Sequence, residues 1–211
     1  DGRRTRPEID SRHGEKNQLA QIATLLKAPL RHIPGRLDRG KLGMPRMGVT
    51  GSAILVSTLK AMGAAAEVYL PHREKEGYGL NANAIAHFAE RGVKLIITCD
   101  CGIASVEEVT ASHAAGMAVI ITDHHTIPEK IPEAFAILHP LLPDSGYPYK
   151  FLTGGGVAFK FACAMIQEYC KRSSLPATSY QLPARPIEEG FEKWLMDLVA
   201  VSTVATWASS R

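Results

Sequence analysis

The chain has 211 residues, of which 45% are hydrophobic and 7% aromatic, and a formal net charge of +3. No run reaches the ~18 consecutive apolar residues of a membrane span and no signal peptide opens the chain, so neither membrane association nor secretion is expected. Four cysteines, Cys99, Cys101, Cys163 and Cys170, have neither disulfide-scaffold nor zinc-knuckle spacing, which points to a reduced, cytoplasmic setting.

The charge is unevenly spread. Residues 1–46 carry 11 Lys/Arg against 5 Asp/Glu, near +6, while the remainder is near −3. The first 47 residues therefore read as a basic leader, either a phosphate-contacting arm or a solvated, poorly ordered segment. Within it "APLRHIPGRLDRGKLGMPR" is broken by Pro29, Pro34, Gly35 and Pro45, and only "NQLAQIATLLK" has helical spacing.

From Val49 the texture changes. "TGSAILVSTLKAMG" predicts a helix capped by Thr50 or Ser52 and stopped at Gly63. "AAEVYLP" predicts a short strand, and "NANAIAHFAERG" a second helix ending at Gly92. "VKLIITCD" is a buried strand, followed by the helix "SVEEVTASHAAG" with Ser105 as its cap and Gly116 as its stop. "MAVIITDHH" is the next buried strand and "AFAILHP" a further one. "LLPDSGYPYKF" is a loop, "TGGGVAFKFACAMIQEYCK" a glycine-rich entry into a long helix, and "SSLPATSYQLPARP" a polar connector. A last helix is expected over "IEEGFEKWLMDLVAVSTVA". Strands alternate with helices, and the strands are near-continuous apolar runs. That is the pattern of an α/β fold with a parallel sheet covered by helices on both faces.

Such sheets bind ligands at the carboxyl ends of their strands. Asp100 ends one apolar run, and Asp123, His124 and His125 end the next. Carboxylate and imidazole together suit a divalent transition ion better than calcium. Adjacent histidines point in different directions, so one can ligate an ion while the other meets a phosphate or a second ion. The competing structural reading is that Asp123 caps the turn toward "TIPEK" and Asp100 caps the helix after it. Gly102 allows a tight turn beneath Asp100.

These residues carry a resemblance. "CDCG" and "DHH", each after an apolar strand, resemble the DHH phosphoesterase superfamily. Within it, "GVTGSAILVSTLKAMGAAAEVYLPHREKEGYGLN", "DHHTIPEKIPEAFAILHP", "YPYKFLTGGGVAFK" and "DLVAVSTVA" are similar to the RecJ family of single-strand-specific exonucleases, over roughly Gly48 to Ala205. The resemblance implies a DHH-type domain over residues 48–206 and an atypical tail over 207–211. It implies two Mn2+ or Mg2+ ions that clamp a scissile phosphate and activate water, and a 5′-to-3′ hydrolysis of single-stranded DNA in repair and recombination. The implied catalytic residues are Asp100, His124 and His125; the implied metal ligands are Asp100, Asp123, His124 and His125, with Asp197 in "MDLVA" as a further candidate. Arg73, Gly154, Gly155 and Gly156 are candidate phosphate contacts, the glycines through bare backbone N–H groups at a helix start or, equally, as tight-packing positions. A monomer is expected, with single-strand-binding or repair proteins as further partners.

The chain departs from that family in two places. The family carries an Asp-Tyr-Asp-x-Asp-Gly motif before "GVTGSA"; here the stretch reads "GMPRMGVTG", with no acid from Arg39 to Ala66. The family continues "TVAD"; here Thr206 stands where the aspartate would be. A one-base shift of reading frame would account for both, turning "VAT" into "VAD" and "LGMPRMG" into an acidic stretch. RecJ proteins also continue into further domains. Impaired metal binding and activity are expected of a chain with these losses. The alternatives are a phosphodiesterase of the same superfamily acting on short oligonucleotides or cyclic dinucleotides, or a pyrophosphatase, and an inactive domain that binds nucleic acid or protein.

Overall fold

The computed structural model describes residues 42–44, 48–69, 71, 79–173 and 186–209. Five strands form one parallel sheet: β1 (Leu42–Met44), β2 (Ala66–Val68), β3 (Leu95–Cys99), β4 (Ala118–Thr122) and β5 (Ala136–Leu138), in the spatial order β2-β1-β3-β4-β5. Among the described residues five α-helices accompany them: α1 (Val49–Ala61), α2 (Ala82–Glu90), α3 (Val106–Ala114), α4 (Gly154–Ser173) and α5 (Met196–Ser209). Short 3-10 turns cover Pro143–Ser145 and Phe191–Leu195.

The sheet is buried on both sides, as its apolar runs require. Along β3, Ile97 and Cys99 join α1 and α4 in one core, with Ile54, Leu55, Val157, Ala158 and Phe161. Ile96, together with Val119 and Ile121 of β4, faces the opposite core with Phe88 of α2 and Val109 of α3. The period-2 alternation of a strand thus distributes one continuous hydrophobic run over two helix layers.

Some local expectations need correction. Leu42–Met44, inside the segment read as a leader, is a strand between β2 and β3. Three residues followed by proline carry no strand periodicity; pairing on both edges places them. The rest of the leader, "NQLAQIATLLK" included, lies outside the described residues, as does the polar connector over 174–185. α1 is capped by Gly48 with no side-chain cap, not by Thr50 or Ser52, and Ser105 precedes α3 without a side-chain cap bond. Asn81 does cap α2, accepting from the Ala84 N–H at 2.9 Å. The expected last helix begins only at Met196, and Trp207–Ser209 of the expected tail continue it.

This strand order reverses direction between β1 and β3, where the chain leaves in opposite senses. The carboxyl edge at that reversal is where a doubly wound sheet opens a crevice for ligand.

Candidate metal centre

β3 and β4 are parallel and in register, Cys99 opposite Thr122. The residues that follow, Asp100 and Asp123, therefore emerge side by side. The Asp100 N–H donates to the Thr122 carbonyl at 2.8 Å, and the Asp123 N–H to the Leu138 carbonyl of β5 at 3.1 Å. Asp100 is the non-glycine residue at positive φ among the described residues, at 61°. A left-handed conformation costs about 1–2 kcal/mol at such a position, and aspartate is among the residues that tolerate it. The Thr98 hydroxyl steadies the turn by donating to the Cys101 carbonyl at 2.8 Å. Gly102 has φ 110°, and a Cβ there would approach the Thr98 hydroxyl to 2.8 Å.

The kink brings three donor groups together. One ligand atom each of Asp100, His124 and His125 lies within 4.8 Å of the others. His124 Nε2 is 2.9 Å from Asp100 Oδ1. That oxygen is buried, and the His124 ring is the partner it meets. The neighbouring Asp100 carboxylate pushes the His124 imidazole above its ordinary pKa against the opposing effect of burial, and the Leu152 carbonyl also faces the ring.

Asp123 has a different role. It is 1% exposed. Its Oδ1 accepts from the backbone N–H of His124 at 2.7 Å and of His125 at 3.2 Å, and meets His125 Nδ1 at 2.7 Å. Its Oδ2 accepts from the Ile103 N–H at 3.0 Å. Burial alone would raise its pKa, but the Ile103 N–H, the His125 ring and the two loop N–H groups hold it below the ordinary carboxylate value. Asp123 thus organises the loop and orients His125. With Nδ1 bound to a carboxylate, His125 keeps its lone pair on Nε2, the arrangement that fixes metal-ligating histidines.

One feature escaped sequence reasoning. His139, following β5 and 1% exposed, places Nε2 2.8 Å from the His125 carbonyl and accepts the Leu141 N–H on Nδ1 at 3.1 Å. The accepted N–H leaves the proton on Nε2, so His139 donates to His125 and braces its loop from behind. Nothing in "ILHP" alone shows this, because the partner is fourteen residues away. The fit between α4 and β3 bears on the other reading of the glycines, as tight-packing positions. A Cβ on Gly154 would collide with the Asp100 carboxylate, and one on Gly155 would come within 2.5 Å of the Ser202 hydroxyl on α5. The Gly155 N–H donates to Ser202 and the Gly156 N–H to Thr153 Oγ1, both at 3.2 Å. These glycines pack α4 against β3 and α5, and the N–H groups of Gly155 and Gly156 are taken by hydroxyls.

The remaining expected positions stand apart. Asp197 is exposed in the first turn of α5 and outside the converging group. Arg73 lies outside the described residues. Cys99 beside the centre is fully buried, and desolvation raises its thiol pKa to about 12, which makes it core rather than ligand.

The donor set tests well for a divalent ion. For metal–ligand bonds of ~2.1 Å, neighbouring ligands of an octahedral ion sit ~3 Å apart. The buried Asp100 oxygen and the His124 nitrogen, 2.9 Å apart as an ion pair, already stand at that spacing. The second imidazole is already oriented by its own carboxylate.

The molecule is therefore a parallel α/β domain with an Asp–His–His donor group at its carboxyl edge. Residues 48–201 match the DHH family, N-terminal domain, and the chain belongs to that family. It is 39% identical over 159 residues to the single-stranded-DNA-specific exonuclease RecJ of Dickeya dadantii, covering 75% of this chain and 26% of that protein. It is 46% identical over 121 residues to RecJ of Bacillus subtilis, covering 57% and 15%. The crystal structure of exonuclease RecJ bound to manganese superposes with a TM-score of 0.63 at 32% identity, over 90% of this chain and 43% of that one. RecJ of Thermus thermophilus in complex with Mn2+ superposes with a TM-score of 0.59 at 28% identity, over 92% and 24%. The chain spans no more than 26% of the length of the two curated relatives named.

Proposed function

We propose that this chain is the metal-binding part of a RecJ-type phosphodiesterase that removes nucleotides from single-stranded DNA, 5′ to 3′, with Mn2+ or Mg2+. The observation that carries the reading is the convergence of the buried Asp100 Oδ1, His124 Nε2 at 2.9 Å from it, and His125, in a chain whose relatives are named single-stranded-DNA-specific exonucleases. Asp100, His124 and His125 would hold the ion. When bound, a divalent ion polarises a phosphoryl oxygen and activates water for attack at phosphorus.

The chain's own residues supply the positioning. Asp123 holds the two histidines in register, His139 braces His125, and Gly154 lets α4 close on Asp100. A role in repair and recombination and a cytoplasmic location accompany this reading. No helix among the described residues is long and apolar enough to cross a membrane.

Titration calorimetry with MnCl2 tests the centre. The unmodified chain should bind manganese, and His124→Ala should abolish the binding while the circular dichroism spectrum is retained. Manganese bound equally well by His124→Ala would remove these residues from the metal site.

A further inference from the structure

We propose that Tyr149 and Phe151 form a base-stacking subsite for single-stranded nucleic acid at the rim of the metal centre. The inference rests on the nuclease reading above and adds to it a position where the bases are gripped.

Phe151 is 81% and Tyr149 56% exposed, and their rings meet edge to face at 5.9 Å. The loop that presents them is braced. Lys150 donates to the Pro140 carbonyl at 2.8 Å and to the buried Ser145 hydroxyl at 3.1 Å, and Ser145 donates to the same carbonyl at 2.9 Å. Both acceptors of the Lys150 ammonium are neutral, so its positive charge is not cancelled by them.

The loop also runs straight into the site. The next residue after Phe151, Leu152, turns its carbonyl to His124, and Gly154 abuts the Asp100 carboxylate. Two exposed aromatic rings flanking a cation, one residue from a contact with a metal-type ligand, match the way sequence-tolerant single-strand sites are made. There, charge tracks the backbone and aromatic faces stack on bases. Each base offers a π face whatever its identity. An aromatic grip therefore suits an enzyme that must process any sequence.

Fluorescence anisotropy of a 3′-labelled oligothymidylate in EDTA, where no hydrolysis runs, tests this. Phe151→Ala and Tyr149→Ala should each weaken binding by about tenfold, the scale of one lost stacking contact. Phe151→Trp should retain it. An oligomer of equal length made of abasic units should bind more weakly and be indifferent to all three substitutions. Because the ring is mostly exposed, the melting temperature should not move.

Unchanged affinity in Phe151→Ala, or an equal loss on the abasic oligomer, overturns the subsite while leaving the nuclease reading intact. So does a variant that only converts a dimer to a monomer in sedimentation with oligothymidylate affinity preserved, since the patch would then join two copies. If the unmodified chain binds neither oligomer, the nuclease reading falls and the subsite with it.

Discussion

Asp123 shows how one side chain can govern a site without being its most available ligand. It is 1% exposed, and its carboxylate takes three backbone N–H groups and an imidazole. A buried carboxylate so served is stabilised as the anion, and its pKa is lowered in the folded state. A lowered folded pKa contributes stability above the unfolded value, near 3.8, and loses it as pH falls through the folded value. Asp123→Asn should therefore destabilise the metal-free chain by about 1–3 kcal/mol at pH 7, since one amide oxygen cannot replace two anionic ones. The deficit should shrink as pH falls below 3.8, where the unfolded chain's carboxyl takes up its proton first, and go on shrinking until the native carboxyl, held lower, is protonated too. Urea unfolding of both proteins at pH 7 and pH 3 checks this. An equal deficit at the two values would show that charge on Asp123 does not matter.

At the level of elements, the site is a junction of β3, β4 and α4, and the third member sets the clearance. Alanine at Gly154 would place a methyl group inside the Asp100 carboxylate, whereas at Gly156 the nearest atom is the flexible Leu152 Cδ2 at 3.1 Å. Gly154→Ala should lower manganese affinity at least tenfold and cost about 1–3 kcal/mol of stability, as overpacking does. Gly156→Ala removes the same backbone freedom and should leave manganese affinity close to that of the unmodified chain, which calorimetry on the pair will show. The contrast also marks the boundary of sequence reading. β3 and β4 were legible because strands buried on both faces are continuous apolar runs, and Asp100, His124 and His125 were legible as the polar residues ending those runs. β1 was not, since Leu-Gly-Met has no periodicity and is placed by its neighbours. The role of His139 and the reason for Gly154 depend on contacts between elements distant in sequence, which no local pattern encodes.

For the whole molecule, the decisive fact is the strand order. The chain runs from β1 to one side and from β3 to the other, and the crevice at that reversal is bounded by the carboxyl ends of these two strands. β3 delivers Asp100 there. Gly48, which caps α1, has its Cβ position 3.0 Å from Asp100 Cβ and so lies beside the centre. The residues before Gly48 in sequence are Pro45, Arg46 and Met47, where the resemblance to the RecJ family implies acids. On α5, Thr206 follows by one turn the Ser202 that reaches Gly155, and it stands where the same resemblance implies an aspartate. Asp100 and two neutral imidazoles supply only one negative charge to a divalent ion. A second ion, needed to support both the attacking and the leaving oxygens of a phosphodiester, lacks its carboxylates. The unmodified chain should therefore bind manganese weakly and release little or no nucleotide from 5′-ended single-stranded DNA. Replacing Thr206 with Asp and restoring acids ahead of Gly48, as the resemblance implies, should tighten manganese binding, because carboxylates add the negative charge that a divalent ion requires. Calorimetry on the restored chain, beside a gel assay of a 3′-labelled oligonucleotide, separates affinity from turnover. Robust digestion by the unmodified chain that disappears in His124→Ala would show that Asp100 and the two histidines suffice.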